Sequence, residues 1–148
     1  MVGAYADLEV GQRVVSPPRQ ISDAQARVLI ETMGYTHPLF ADPDYARAHT
    51  PFPTTPLPGA VTLALMGGLA EQTDVFDDTV VALVGMDAVR FPSAAFPDDL
   101  LHLEMEVVAK EPSASGRRGV VTFAWRCVKQ DGTVVAEANA SLLFRLEG

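Results

Sequence analysis

Apolar positions along this chain follow two different periods. Up to about residue 74 they recur at helical spacing; beyond about residue 80 they alternate with polar ones or run in β-branched blocks. Ser22 opens the first periodic stretch. The sequence Ser22-Asp23-Ala24-Gln25 matches a capping box, in which Gln25 returns a bond to the Ser22 backbone. Ala26, Leu29, Ile30 and Met33 follow at helical spacing, and Gly34 stands where a left-handed C-cap is expected. Asp42 with Pro43 behind it starts a second, short helix through Tyr45, Ala46 and Ala48.

The third helix dominates the pattern. From about Pro58 to Thr73 it has almost no polar face: Ala60, Val61, Leu63, Leu65, Met66 and Leu69 surround it on most sides. A helix apolar nearly all round belongs in an interior. This one is too short, and too broken by Gly67 and Gly68, to cross a membrane. Four strand-like runs follow. Val80 to Val89 reads as a buried strand and Leu100 to Lys110 as a half-exposed one. Val120 to Lys129 and Val134 to Phe144 are joined by the hairpin signal Asp131-Gly132. With a short strand near Val14, ended by Pro17 and Pro18, the order predicts an α+β protein: five or six antiparallel strands curled around one central helix.

Charge and composition narrow the function. The 148 residues carry a net charge of −8, the reverse of the basic footprint that nucleic acid or an anionic membrane surface requires. A chain 48% hydrophobic at this length fits one domain spanning residues 1–148. One cysteine, Cys127, excludes an internal disulfide; it lies in a strand-like run, where a buried inert thiol is expected. A cytoplasmic location is the expectation, with no cofactor and no metal. Two loops stand out. Tyr35 to Phe40 (YTHPLF) lies just past a helix end. Pro51 to Pro58 (PFPTTPLP) has four prolines in eight residues, which suits either the fixed rim of a pocket or a stiff connector.

In order and spacing, LEVGQ, the capped helix, DPDYARA, PGAVTLALMGGL, FPDDLLHLEMEV and the closing VTFAWRCVKQDGTVVAEANASLLF resemble the MaoC-like dehydratases, which include the (R)-specific enoyl-CoA hydratases. The resemblance implies the hot-dog fold, an acyl thioester of coenzyme A or of an acyl carrier protein as partner, and a homodimer with continuous sheets. A bare sheet edge agrees with the dimer. A heterodimer with an active homologue is the alternative.

That family's hydratases carry a loop Gly-Asp-x-Asn-Pro-(Leu/Ile)-His, whose Asp and His activate a water. Here the loop reads Gly34-Tyr35-Thr36-His37-Pro38-Leu39-Phe40, so Tyr35, His37 and Phe40 replace Asp, Asn and His. Pro58-Gly59 replaces the His-Gly that opens the family's central helix, and Gly67 a helix serine found in some members. A phenol with its ordinary pKa of about 10 is a poor base at neutral pH and a usable acid, whereas an imidazole titrates in the physiological range. The expectation is a changed acid/base set. His37 would act as base, Tyr35 as acid and the Gly59 N–H as carbonyl polariser, with Phe40, Phe52 and Leu57 lining a dry acyl tunnel. The plain alternatives are a Tyr35 that packs with its hydroxyl bonded and a His37 bonded to loop backbone. His49, expected at the pocket mouth, and His102, expected to face solvent, are weaker candidates; Arg117 and Arg118 fit either a phosphate of coenzyme A or of a carrier protein or, more plainly, a solvated hairpin. A silent subunit of a heteromeric hydratase, or a binder of acyl or other apolar ligands, are the other functions this pattern allows.

Overall fold

A computed structural model describes residues 3–146, so the outermost residues of the expected 1–148 domain lie outside the described part. In chain order the elements are α1 (Ala4–Asp7), β1 (Arg13–Val15), β2 (Arg19–Gln20), α2 (Asp23–Met33), α3 (Pro38–Ala41), α4 (Pro43–His49), α5 (Gly59–Glu71), β3 (Val80–Arg90), β4 (Leu100–Pro112), β5 (Arg118–Lys129) and β6 (Val134–Arg145). The local signals that predict α2 and α4 are present as bonds. Ser22 and Gln25 close the capping box, Gly34 ends α2 at φ 82, and the Asp42 carboxylate accepts from the Asp44 N–H.

One six-stranded sheet runs β1-β4-β5-β6-β3, with β2 also on β4, and every pairing is antiparallel. The alternation read in the sequence becomes a division of faces. Leu101, Leu103, Met105 and Val107 on β4 point inward. So do Val121, Phe123, Trp125 and Cys127 on β5, and Ala136, Ala140, Leu142 and Phe144 on β6. They meet Met66, Leu69 and Ala70 of α5 in one core, which is the wrapped-helix arrangement of the hot-dog fold. Burial pushes the Cys127 thiol up to about 12, in keeping with an inert core residue.

Three expectations need correction. α5 is not buried all round: Ala60, Ala64 and Gly68, four residues apart, form an exposed stripe. The apolar run of β3 is not a buried strand. β3 is the sheet edge, and Val81, Leu83 and Val84 stand 43–54% exposed. An apolar run looks the same in sequence whether the chain's own core or another surface covers it. Finally, YTHPLF is not all loop, since a single helical turn, α3, starts at Pro38.

Candidate functional site

His37 caps α3. Its Nδ1 accepts the Leu39 N–H at 3.0 Å, an imidazole doing the work of an Asn or Asp cap. The consequence is chemical. With Nδ1 accepting, the neutral ring carries its proton on Nε2, so its remaining nitrogen is a donor. Taking up a proton at Nδ1 would break the cap. The bond to loop backbone was the plain alternative for His37, and it is present. The ring also packs edge-on against Tyr45, at 5.6 Å between centroids, and Tyr45 lies 4.3 Å from His49.

Tyr35 and Phe40 meet edge to face at 5.2 Å. The two positions at which the sequence resemblance sets Tyr35 and Phe40 against an Asp and a His are thus neighbours in space, although seated on either side of the α3 cap. Tyr35 is half-buried, and among the described residues no protein group bonds its hydroxyl.

The Pro51–Pro58 loop is tied as well as stiff. The Leu57 N–H donates to Ala95 at 2.8 Å, and Phe52 packs edge-on against Phe96 at 5.7 Å. Asp99 accepts the Phe96 N–H and pairs with Lys129 at 3.3 Å, with both side chains largely buried. Leu57 itself is a core residue, 5% exposed. Where this loop ends, α5 begins without a side-chain cap. The Pro58 carbonyl takes the N–H groups of Val61 and Thr62, and among the described residues nothing accepts from Gly59 or Ala60. Two free N–H groups at the positive end of a thirteen-residue helix favour an oxygen bearing partial negative charge. Beside them lies the ring of Phe91. A Cβ at position 59 would stand 3.1 Å from its Cε1 and Cζ, so only glycine fits without moving the ring.

A groove of about 690 Å³ opens between α2 and α5. Val28, Leu29 and Met33 form one wall and Val61, Ala64 and Gly68 the other; Arg19, Gln25 and Glu71 supply polar groups. The volume is in the range of small-molecule sites. Neither Phe40, Phe52 nor Leu57 lines it. The expected tunnel walls therefore do not bound this groove: Leu57 is turned into the core, Phe40 packs on Tyr35 and Phe52 on Phe96. The groove's ends do reach the site residues in sequence: Met33 precedes Tyr35 by two positions, and Val61 follows Gly59 by two. Sequence reading missed Met33, Val28, Ala64, Gly68 and Phe91. One signal was available, since Val28 and Met33 are apolar on the outward side of an amphipathic helix, 63% and 51% exposed.

His102 and the arginine pair of the β4–β5 turn take structural places. His102 is half-buried and its Nε2 lies 3.2 Å from Glu104 on the same strand. Arg117 and Arg118 lie at the β4–β5 turn, where both backbone N–H groups bond to serine hydroxyls. Among the described residues no cluster of three or more metal-binding side chains occurs, and no helix is long and apolar enough to cross a membrane.

A curved antiparallel sheet around one helix defines a hot-dog domain, and an apolar groove runs between that helix and α2. The chain belongs to the MaoC like domain family, which matches residues 7–124. Among solved structures, it is similar over 97% of both chains to the MaoC-like dehydratase from Rhodospirillum rubrum (26% identity, TM-score 0.85). It is also similar to the R-hydratase PhaJ1 from Pseudomonas aeruginosa, with 28% identity, TM-score 0.77, and coverage of 97% of this chain and 86% of that one. Among curated proteins it is 34% identical over 96 residues to a 3-hydroxyacyl-acyl-carrier-protein dehydratase FabZ from an Anaeromyxobacter species (strain K). That match takes in 60% of this chain and 57% of the dehydratase, so the chain spans a little over half the length of the curated relatives it matches. The family is thus of the hydratase–dehydratase kind.

Proposed function

We propose that the chain acts on an acyl thioester, of coenzyme A or of an acyl carrier protein, as a hydratase–dehydratase-type lyase or isomerase with a non-standard acid/base set. The observation that carries this reading is the apolar groove, whose walls run in sequence into Tyr35 on one side and Gly59 on the other. The acyl chain lies in the groove between α2 and α5. The thioester carbonyl accepts from the free N–H groups at Gly59 and Ala60, which spreads negative charge onto oxygen and acidifies the α-carbon. Tyr35 serves as acid. His37 takes the α-proton at Nδ1 once it releases the Leu39 N–H, and Tyr35 returns a proton to the substrate.

A second reading, in which the chain is a silent subunit beside an active homologue, is favoured by that same bond: while it holds, it leaves His37 without a nitrogen free to take a proton. Both readings use the β3 edge. This eleven-residue strand pairs with β6 on one side only and carries exposed Val81, Leu83 and Val84, so a second hot-dog domain, of this chain or of a homologue, extends the sheet along its other side.

The deciding experiment is calorimetric titration with non-hydrolysable acyl-CoA thioethers of increasing length, beside an assay on a panel of acyl and enoyl thioesters. Binding should tighten with chain length until the groove is full. Crotonyl-CoA hydration should be absent or very slow, and Tyr35→Asp with Phe40→His should raise it. Turnover slowed by Tyr35→Phe and His37→Ala supports the enzyme. Binding without turnover supports the silent subunit, and no binding at any length ends both.

A further inference from the structure

β3 does not end as a regular strand. Asp87 pairs with Asn139 and Arg90 with Glu137, so Ala88 and Val89 together face the single residue between them on β6. Ala88 takes up the extra length at φ 52, a left-handed conformation that residues with a Cβ rarely adopt. A bulge of this kind bends the strand and re-aims the residues beyond it. Just past the end of β3 stands Phe91, which lies over Gly59 with Cε1, Cζ and Cδ1 all within 3.2 Å of where a side chain would begin. One side of the ring is seated on the helix start. The remainder is open, leaving the residue 46% exposed.

Gly59 is also where α5 presents its free N–H groups. Ring and N–H groups therefore border the same small volume, and the ring occupies the space a residue-59 side chain would otherwise fill. We propose that Phe91 is a specificity-determining residue: a wall beside the thioester carbonyl that admits acyl groups unbranched at the α-carbon and rejects α-branched ones. This rests on the reading of Gly59 as the carbonyl site. A carbonyl oxygen held by the Gly59 and Ala60 N–H groups brings its α-carbon against the ring edge, where an added methyl has no room unless the ring moves. Such a clash over one methyl is worth a factor of about ten to a hundred in binding. The bulge at Ala88 bends the strand end that leads into Phe91.

The test is the ratio of dissociation constants for two thioether analogues of coenzyme A, one carrying a straight four-carbon acyl group and one the same group with a 2-methyl substituent. The parent should prefer the straight analogue by about tenfold or more. Phe91→Ala should bring the ratio to within about threefold of unity, and Phe91→Trp should widen it. Gly59→Ala, which displaces the ring, should weaken both analogues. Thermal melts of each variant separate loss of fold from loss of preference, and Phe91→Leu replaces Phe91→Ala should the latter melt early. A ratio that stays constant across all folded variants overturns the role of Phe91 while leaving the thioester reading in place. Failure of the parent to bind either analogue overturns both.

Discussion

On β4, β5 and β6 nearly every second side chain ends in the core, whereas on β3 and along the α2–α5 groove side chains of the same chemistry stand in solvent. Leu103, Phe123 and Leu142 are fully buried; Leu83, Val84 and Val28 are about half exposed or more. Polar groups divide the same way. In the hairpin layers, backbone groups are paired along the ladders. At the start of α5 two N–H groups have no acceptor among the described residues, and the Tyr35 hydroxyl has no partner among them either. One region has saturated its interactions within the chain, and that is where stability resides. The other has left them open, and open apolar surface next to open donors is what a ligand or a second subunit can use.

The sharpest way to break this contrast is to cut into the saturated side. Phe123→Ala removes a fully buried ring between β4 and β6, and should cost about 3–5 kcal/mol in urea or guanidinium unfolding. A cost below about 1 kcal/mol would mean that the core is not where stability lies.

Next in size is the β3 edge. Leu83→Lys together with Val84→Lys places charge on the exposed apolar strand. It should turn a dimer into a monomer by light scattering at micromolar concentration, with less than about 1 kcal/mol lost by the monomer, since surface substitutions are usually near neutral. A wild-type protein already monomeric at that concentration would remove β3 as a partner surface.

A middling effect is expected from Asp77→Asn, which tests saturation of a polar knot beneath the β3 start. Burial by itself raises the Asp77 carboxyl. The Thr79 hydroxyl, the N–H groups of Thr79 and Ala4, and the charge of Arg145 outweigh it and hold the pKa below the ordinary value. A lowered folded pKa contributes stability above the ordinary carboxylate value of about 3.9, and that contribution disappears as pH falls through the folded value. Asp77→Asn should therefore lose about 1–2 kcal/mol at pH 7. The gap from wild type should narrow in acid, as followed by unfolding at a series of pH values. A gap independent of pH would assign Asp77 no titrating role.

The smallest stability change should come from filling the groove. Gly68→Leu adds a side chain where a Cβ meets nothing within 4 Å, so stability should stay within about 0.5 kcal/mol or rise as the helix loses a glycine. The same change should weaken long-chain thioether binding by about tenfold or more while sparing short chains, because it narrows the groove beyond its first segment. Equal weakening of all lengths would move the acyl chain out of the groove.

Much of this was legible in the residues. The capping box at Ser22, the Gly34 stop, the Asp42 cap, the hairpin at Asp131-Gly132 and the alternation of β4 to β6 are local devices, set by bonds and periods spanning a few residues, and they appear where the pattern put them. The resemblance of the whole ordered set carried the fold. The exposed stripe of α5 and the edge position of β3 could not be read, because an apolar run records only that something covers it, not whether the cover is the chain's own core. A His37 bonded to loop backbone was among the sequence alternatives; that the bond caps a helical turn at Pro38 was not, because it depends on α3 turning tightly enough to aim the Leu39 N–H back at the ring. The seat of Phe91 on Gly59, thirty-two residues away along the chain, needed a bulge in one strand and the absence of a Cβ in one helix to meet in space. Sequence determines what lies within reach of one turn or one hairpin, because those energies are local. Only the closed tertiary structure decides which surfaces remain uncovered and which distant groups share a site.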